Sequence, residues 1–177
     1  MRNDYDEADV RRLTAHLADL IAAAFPKDKP LNIVGIRTRG EVLAVRLTEL
    51  LVQKGYQRIG RGVLDITLYR DDLSEIGPRP LVRPTQLAID IDGVPLLLVD
   101  DVLFTGRSVR AAMDALSDFG RPSAIRLAVL VDRAGRELPI QPDFVGVKLA
   151  TVPRDHRVNV RLKETDGEDR IIVERRS

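Results

Sequence analysis

Apolar residues recur at three- and four-residue spacing from Asp6 to Phe25, at Val10, Leu13, Leu17, Leu20, Ile21 and Ala24. That is the stripe of an amphipathic helix, and Pro26 and Pro30 end it. Leu31 to Ile36 (LNIVGI) is a short β-branched run that predicts a strand, and a helical pattern resumes from Gly40 to Val52, stopping near Gly55. Val63 to Tyr69 (VLDITLY) predicts a second strand. Val94 to Val99 (VPLLLV) is almost unbroken apolar, as in a parallel strand covered on both faces, and predicts the sheet centre. Ser108 to Phe119 reads as a helix closed by Gly120 and Pro122, and Ala124 to Val131 (AIRLAVLV) as another buried strand.

Strands alternating with helices predict an α/β fold with a parallel central sheet, whose ligands bind beyond the carboxyl ends of the strands. Three segments break the pattern. Arg70 to Asp92 carries Gly77, Pro78, Pro80 and Pro84 without helical period and is long for a connection, so it predicts a lid or hairpin. Arg133 to Asp143 is Pro-rich and irregular. Val158 to Leu162 and Arg170 to Val173, joined across Asp166-Gly167, predict a hairpin. A length of 177 residues suits one domain spanning 1–177.

Composition narrows the chemistry. With no cysteine, disulfides, zinc-thiolate sites and cysteine nucleophiles are excluded. Two isolated histidines, His16 and His156, offer little to a metal cluster or a catalytic triad and are expected to be solvated. Seven aromatic residues and no Trp are too few for a sheet that stacks successive RNA bases. Lys and Arg number 28 against 27 Asp and Glu, a formal net charge of +1, so nucleic acid would need a local basic face rather than a bulk field. The first residues, MRNDYDEADV, carry acids rather than a basic, apolar leader, and no apolar run approaches a membrane span. A soluble, cytoplasmic protein is expected.

What remains is carboxylates, arginines and backbone amides, and they converge at Leu96 to Ser108, LLLVDDVLFTGRS. An apolar strand runs into Asp100 and Asp101, then into Thr105-Gly106-Arg107-Ser108 at a helix start. Gly106 lets backbone amides converge, Thr105 and Ser108 supply hydroxyls, and a helix start favours an anion. Two adjacent carboxylates suit ribose hydroxyls or a magnesium ion held partly through water. The plainer reading of the same residues is an aspartate pair that ends a strand and a serine that caps a helix.

This stretch resembles the thirteen-residue phosphoribosyl-pyrophosphate motif of type I phosphoribosyltransferases. GIRTRG (35–40), DITLYRDDL (65–73), VRAAMDAL (109–116), GRPSAIRLAVLVDR (120–133), RELPI (136–140) and PDFVG (142–146) resemble the bacterial pyrimidine operon regulators that are also uracil phosphoribosyltransferases. The resemblance implies a core over about 1–132 with a hood and C-terminal hairpin over about 133–177. It implies formation of UMP and pyrophosphate from uracil and phosphoribosyl pyrophosphate, with Mg2+, in a homodimer or higher homo-oligomer.

Residue by residue, it places Asp100 and Asp101 on the ribose hydroxyls and on Mg2+, with Asp101 also assisting charge near the anomeric carbon. Thr105, Gly106, Arg107 and Ser108 hold the 5′-phosphate. Arg37, Thr38, Arg39 and Gly40 bind pyrophosphate through a strained peptide, and Arg39 counts with Asp100 and Asp101 as the catalytic groups. Arg70, Arg79 and Arg83 belong to a closing loop. Val131, Asp132 and Arg133 face the base.

The regulators in this family bind leader RNA of pyrimidine genes with UMP as effector, for which Arg11, Arg12, Arg136 and Lys148 are the candidate cations here. The sequence is poorer on that side: RELPI is followed by Gln141 where Arg is common, Val147 stands where Lys is common, and Ala150-Thr151-Val152 replaces a PTS run. Catalysis therefore ranks above attenuation. A regulator with little catalytic activity and a phosphoribosyltransferase for another base are the alternatives.

Overall fold

A computed structural model describes residues 4–67, 85–153 and 155–175. Arg70, Arg79 and Arg83 lie outside the described residues.

Helix α1 (Glu7–Ala24) follows a two-residue strand, β1 (Asp4–Tyr5). Asp6 caps the helix: its side chain accepts from Asp9 N–H at 2.9 Å while its own N–H donates to the Asp9 carboxylate at 3.3 Å, two orphan donors satisfied reciprocally. Strand β2 (Leu31–Ile36) lies where the pattern predicts, and α2 (Arg39–Gln53) begins one residue earlier than expected. β4 (Leu96–Leu103) carries the acid pair within the strand rather than after it. α3 spans Arg107–Leu116 and β5 spans Ile125–Arg133.

The second predicted strand is displaced. β3 covers Ile59–Leu64 rather than 63–69, so only its end was legible. Gly60 and Gly62 disguise it, since glycine is depleted in strands. Both face crowded ground: a Cβ on Gly60 would run into the Asn32 side chain, and one on Gly62 into Leu87. The pattern also missed β6 (Phe144–Leu149), whose Gly146 lies against the Leu130 carbonyl.

The main sheet is wholly parallel, in the order β3-β2-β4-β5-β6, and the apolar run does form its central strand. Alternate residues of β4 feed two cores: Leu97 and Val99 meet α1 and α2, whereas Leu96 and Leu98 meet α3. The C-terminal hairpin forms from β7 (His156–Arg161) and β8 (Arg170–Arg175). Its connection is not a tight turn but a short helix, α4 (Lys163–Asp166), ended by Gly167 at φ 80°. β1 adds a third strand to it, and Arg170 clasps Asp4 through Nε (2.9 Å) and Nη2. Val160, Leu162, Ile171 and Val173 of this small sheet join the core of α1 and α2. No helix among the described residues is long and apolar enough to cross a membrane.

Candidate active site

Beyond the carboxyl ends of β2 and β4 a polar cleft of about 370 Å³ opens, lined by Arg37, Thr38 and Arg39 on one side and by Asp100, Asp101 and Ser108 on another. Its third wall is Asp65, Ile66 and Thr67, which follow β3. Two crossovers thus bring together segments more than sixty residues apart in the chain.

The loop from β2 into α2 holds the first wall. The Arg37–Thr38 peptide bond is cis. Gly35 and Gly40 let this loop lie flat on its neighbours: a Cβ on Gly35 would strike the Gly40 carbonyl, and one on Gly40 would strike the Val99 carbonyl of β4. The Arg37 side chain is largely buried, and its Nε lies 3.4 Å from the Glu41 carboxylate, an ion pair without hydrogen-bond geometry. Arg39 is held differently, with Nε and Nη2 donating to Asp166 at 3.0 and 2.7 Å.

The acid pair is internally braced. Asp101 N–H donates to Asp100 Oδ1, and Val102 N–H to Asp101 Oδ1, both at 2.9 Å. Burial raises the Asp101 carboxyl above its ordinary value, opposed by hydrogen bonding with Asp100 and Val102 N–H and by the Arg39 charge.

The third element is the start of α3. The residue before the helix is Gly106, at φ 96°, in the left-handed region that glycine alone adopts cheaply. It caps without a side chain, so Ser108 is not the cap but lies inside the first turn, bordering the cleft. That removes the capping reading of Ser108. Thr105 Oγ1 accepts from Arg107 N–H at 3.3 Å, and no acidic side chain stands in the first turn. Residues 134–143 lie over this loop: Glu137 and Leu138 N–H donate to the Thr105 carbonyl at 3.0 and 3.1 Å, and Glu137 pairs with Arg107 at 2.8 Å.

This arrangement can hold an anion at each end with a diol between two carboxylates. A family model of the phosphoribosyl transferase domain matches residues 7–161. The chain belongs to the phosphoribosyltransferase family. It is 51% identical over 162 residues to the bifunctional protein PyrR of Roseiflexus sp., covering 92% of this chain and 88% of that one. It is 51% identical over 163 residues to PyrR of Thermus thermophilus, covering 92% and 90%. Within the family it therefore stands with the bifunctional PyrR proteins. Among solved structures, the hypoxanthine phosphoribosyltransferase of Trypanosoma cruzi superposes with a TM-score of 0.71 at 20% identity, covering 100% and 98% of the two chains. A hypoxanthine-guanine phosphoribosyltransferase of Bacillus anthracis gives 0.69 at 15% identity, covering 98% and 99%. These last two likenesses are of fold alone. The fold is that of the type I phosphoribosyltransferases, and the protein is an enzyme of that class.

Not every residue singled out in the sequence reaches the phosphoribosyltransferase cleft. Val131 is fully buried and Arg133 only 3% exposed. The Arg133 guanidinium lies 3.9 Å over the Phe104 ring and donates to the His156 carbonyl at 3.0 Å, so it braces the 104 loop. Asp132 accepts from Arg136 Nη2 at 2.6 Å. Arg136 was expected on a basic surface; instead its side chain is 17% exposed and also donates to the Phe104 carbonyl. Arg11, Arg12 and Lys148 are exposed, Arg11 lying 3.6 Å from Glu7 and Arg12 2.8 Å from Asp9.

Asp65 opens the DITLYRDDL stretch, and no site role is expected of it from the sequence. It borders the cleft, is nearly buried, and its Oδ1 accepts from Thr67 N–H at 2.8 Å. With the strand predicted over 63–69, Asp65 reads as a mid-strand residue; only the observed end of β3 at Leu64 puts it beyond the carboxyl end. Among the described residues no three His, Cys, Asp or Glu side chains are arranged to enclose a metal ion. The Asp100–Asp101 pair supplies only part of a coordination shell, which suits Mg2+ completed by water and substrate oxygens.

Proposed function

We propose that the protein transfers the phosphoribosyl group of phosphoribosyl pyrophosphate to uracil, releasing pyrophosphate and forming UMP, and that it also binds leader RNA of pyrimidine genes in response to UMP. The carrying observation is the cleft in which the Arg37–Arg39 loop, the Asp100–Asp101 pair and the start of α3 converge. The 51% identity to PyrR proteins supports the choice of uracil and of a regulatory role.

In this reading Thr105, Gly106, Arg107 and Ser108 receive the 5′-phosphate, because a glycine-capped helix start without acidic side chains presents amides and hydroxyls to an anion. Arg37, Thr38, Arg39 and Gly40 receive the pyrophosphate, because the first three of them line the cleft across from the acid pair. Asp100 and Asp101 take the ribose hydroxyls between them. Mg2+, held through these acids, water and phosphate oxygens, would offset charge on the departing pyrophosphate.

The bond from the anomeric carbon to pyrophosphate breaks with its electron pair leaving on oxygen, and a ring nitrogen of uracil supplies the pair that closes the new bond while its proton passes to the departing pyrophosphate or to water. The sugar carries positive charge in between. The ionised Asp101 stabilises that charge, and Arg37 and Arg39 stabilise the leaving group. No histidine is needed. Val131 to Arg133 shape the base side, with Arg133 acting through Phe104 rather than by touching the base. For RNA, Arg11, Arg12 and Lys148 remain as contact candidates, in a cytoplasmic homo-oligomer.

The deciding experiment is direct. Purified protein with uracil, phosphoribosyl pyrophosphate and Mg2+ is expected to form UMP and pyrophosphate, with hypoxanthine a poor competitor. Absence of UMP, or preference for a purine, overturns the catalytic reading. The regulatory half is overturned if UMP does not tighten binding to pyrimidine leader RNA relative to a scrambled RNA.

A further inference from the structure

Arg39 and Arg46 lie two turns apart on one face of α2, and the segment joining β7 to β8 grips both. Arg46 pairs with Glu164 through Nε (2.9 Å) and Nη2 (2.6 Å) and with Asp169 through Nη1 (2.8 Å) and Nη2 (2.7 Å). Arg39 gives its Nε and Nη2 to Asp166 alone. Asp166 is in turn fixed by its own segment: its Oδ2 also accepts from Leu162 N–H and Thr165 Oγ1, both at 2.8 Å. Gly167, left-handed at φ 80°, closes α4 directly behind it. The carboxylate is thus preorganised before it meets the guanidinium, and only 18% of its side chain is exposed.

A bidentate pair made through Nε and one Nη fixes the plane of a guanidinium, not just its distance. Arg39 lines the cleft, and its Nη1 has no hydrogen-bond partner among the described residues. We propose that Asp166 is a positioning residue for the pyrophosphate-bearing substrate: it locks one edge of Arg39 so that the opposite edge is presented to the anion. The C-terminal hairpin is then part of the active site although it contributes no group to the cleft itself. This rests on the assignment of the Arg37–Gly40 loop to pyrophosphate.

The competing view is that Asp166 occupies Arg39 in place of substrate and must be displaced. The two views predict opposite signs. For UMP synthesis at saturating uracil, Asp166→Asn is expected to raise the KM for phosphoribosyl pyrophosphate about tenfold with kcat within about threefold and the KM for uracil unchanged. In an Arg39→Ala background the same substitution should add nothing to KM. A lowered or unchanged KM overturns the proposal. So does an equal rise in both backgrounds, which would mark a purely structural role; melting temperatures recorded alongside separate loss of fold from loss of orientation.

Arg39→Lys, which keeps charge but cannot make the two-point contact, is expected to raise KM like Asp166→Asn, and a Lys variant indistinguishable from wild type would also overturn it. Titration of wild type and Asp166→Asn with magnesium pyrophosphate reads the same contact without turnover. Tenfold weaker binding by the variant upholds positioning even if uracil proves the wrong base. No binding by the wild type removes the pyrophosphate site and the proposal with it.

Discussion

Asp101 pays in stability for its charge. Burial raises its carboxyl, so the folded chain holds that proton more tightly than the unfolded chain does. The penalty is absent below the ordinary carboxylate pKa of about 4, grows as pH rises from there, and is complete above the folded value. Asp101→Asn removes the ionisable group. At neutral pH the variant is expected to melt higher than wild type, and the difference should close near pH 4, while turnover falls about a hundredfold through loss of charge opposite the reacting carbon. Melting curves across pH, set beside initial rates of UMP formation, check both halves. A variant that loses stability in step with turnover would make Asp101 a structural acid.

At the scale of elements, the cleft depends on α2 lying unusually close to β4. The contact is Gly40 against the Val99 carbonyl, backbone to backbone, so an added methyl group cannot be accommodated by a rotamer change. Gly40→Ala is expected to cost about 1–3 kcal/mol in denaturant melts and to weaken phosphoribosyl pyrophosphate binding, because the loop moves with the helix. Unchanged stability would mean that the loop yields more readily than this packing implies. The segment over the phosphate loop makes a parallel case. Arg136 joins Asp132 to the Phe104 carbonyl in a largely buried position, so Arg136→Ala leaves a carboxylate without its cation and should cost about 3 kcal/mol.

That role was not legible in the sequence, where Arg136 in an irregular stretch reads as a surface charge. Periodicity finds elements whose side chains are apolar and continuous, such as Leu31–Ile36 and the central strand. It misses strands that close backbone approach has filled with glycine, as at Gly60, Gly62 and Gly146. The acid pair and Gly106 were readable because strand, turn and helix start are contiguous. Arg39 with Asp166 was not, since 127 residues separate them and only the folded hairpin joins them.

For the whole molecule, a net charge of +1 makes RNA binding a question of local surplus. With Arg136 withdrawn into the structure, Arg11, Arg12 and Lys148 remain of the expected cations, and two of them stand beside an acid on the same helix. Each phosphate neutralised contributes about 0.7 to the slope of log affinity against log salt for single-stranded nucleic acid, so three contacts give about 2 per protomer and about 4 if two protomers bind together. Binding of pyrimidine leader RNA from 50 to 200 mM salt is expected to show that shallow dependence. Arg11→Ala with Arg12→Ala should flatten it further without altering UMP synthesis, since neither residue borders the cleft. A slope well beyond 4 would place the RNA on a different and more basic face than the one that carries Arg11, Arg12 and Lys148.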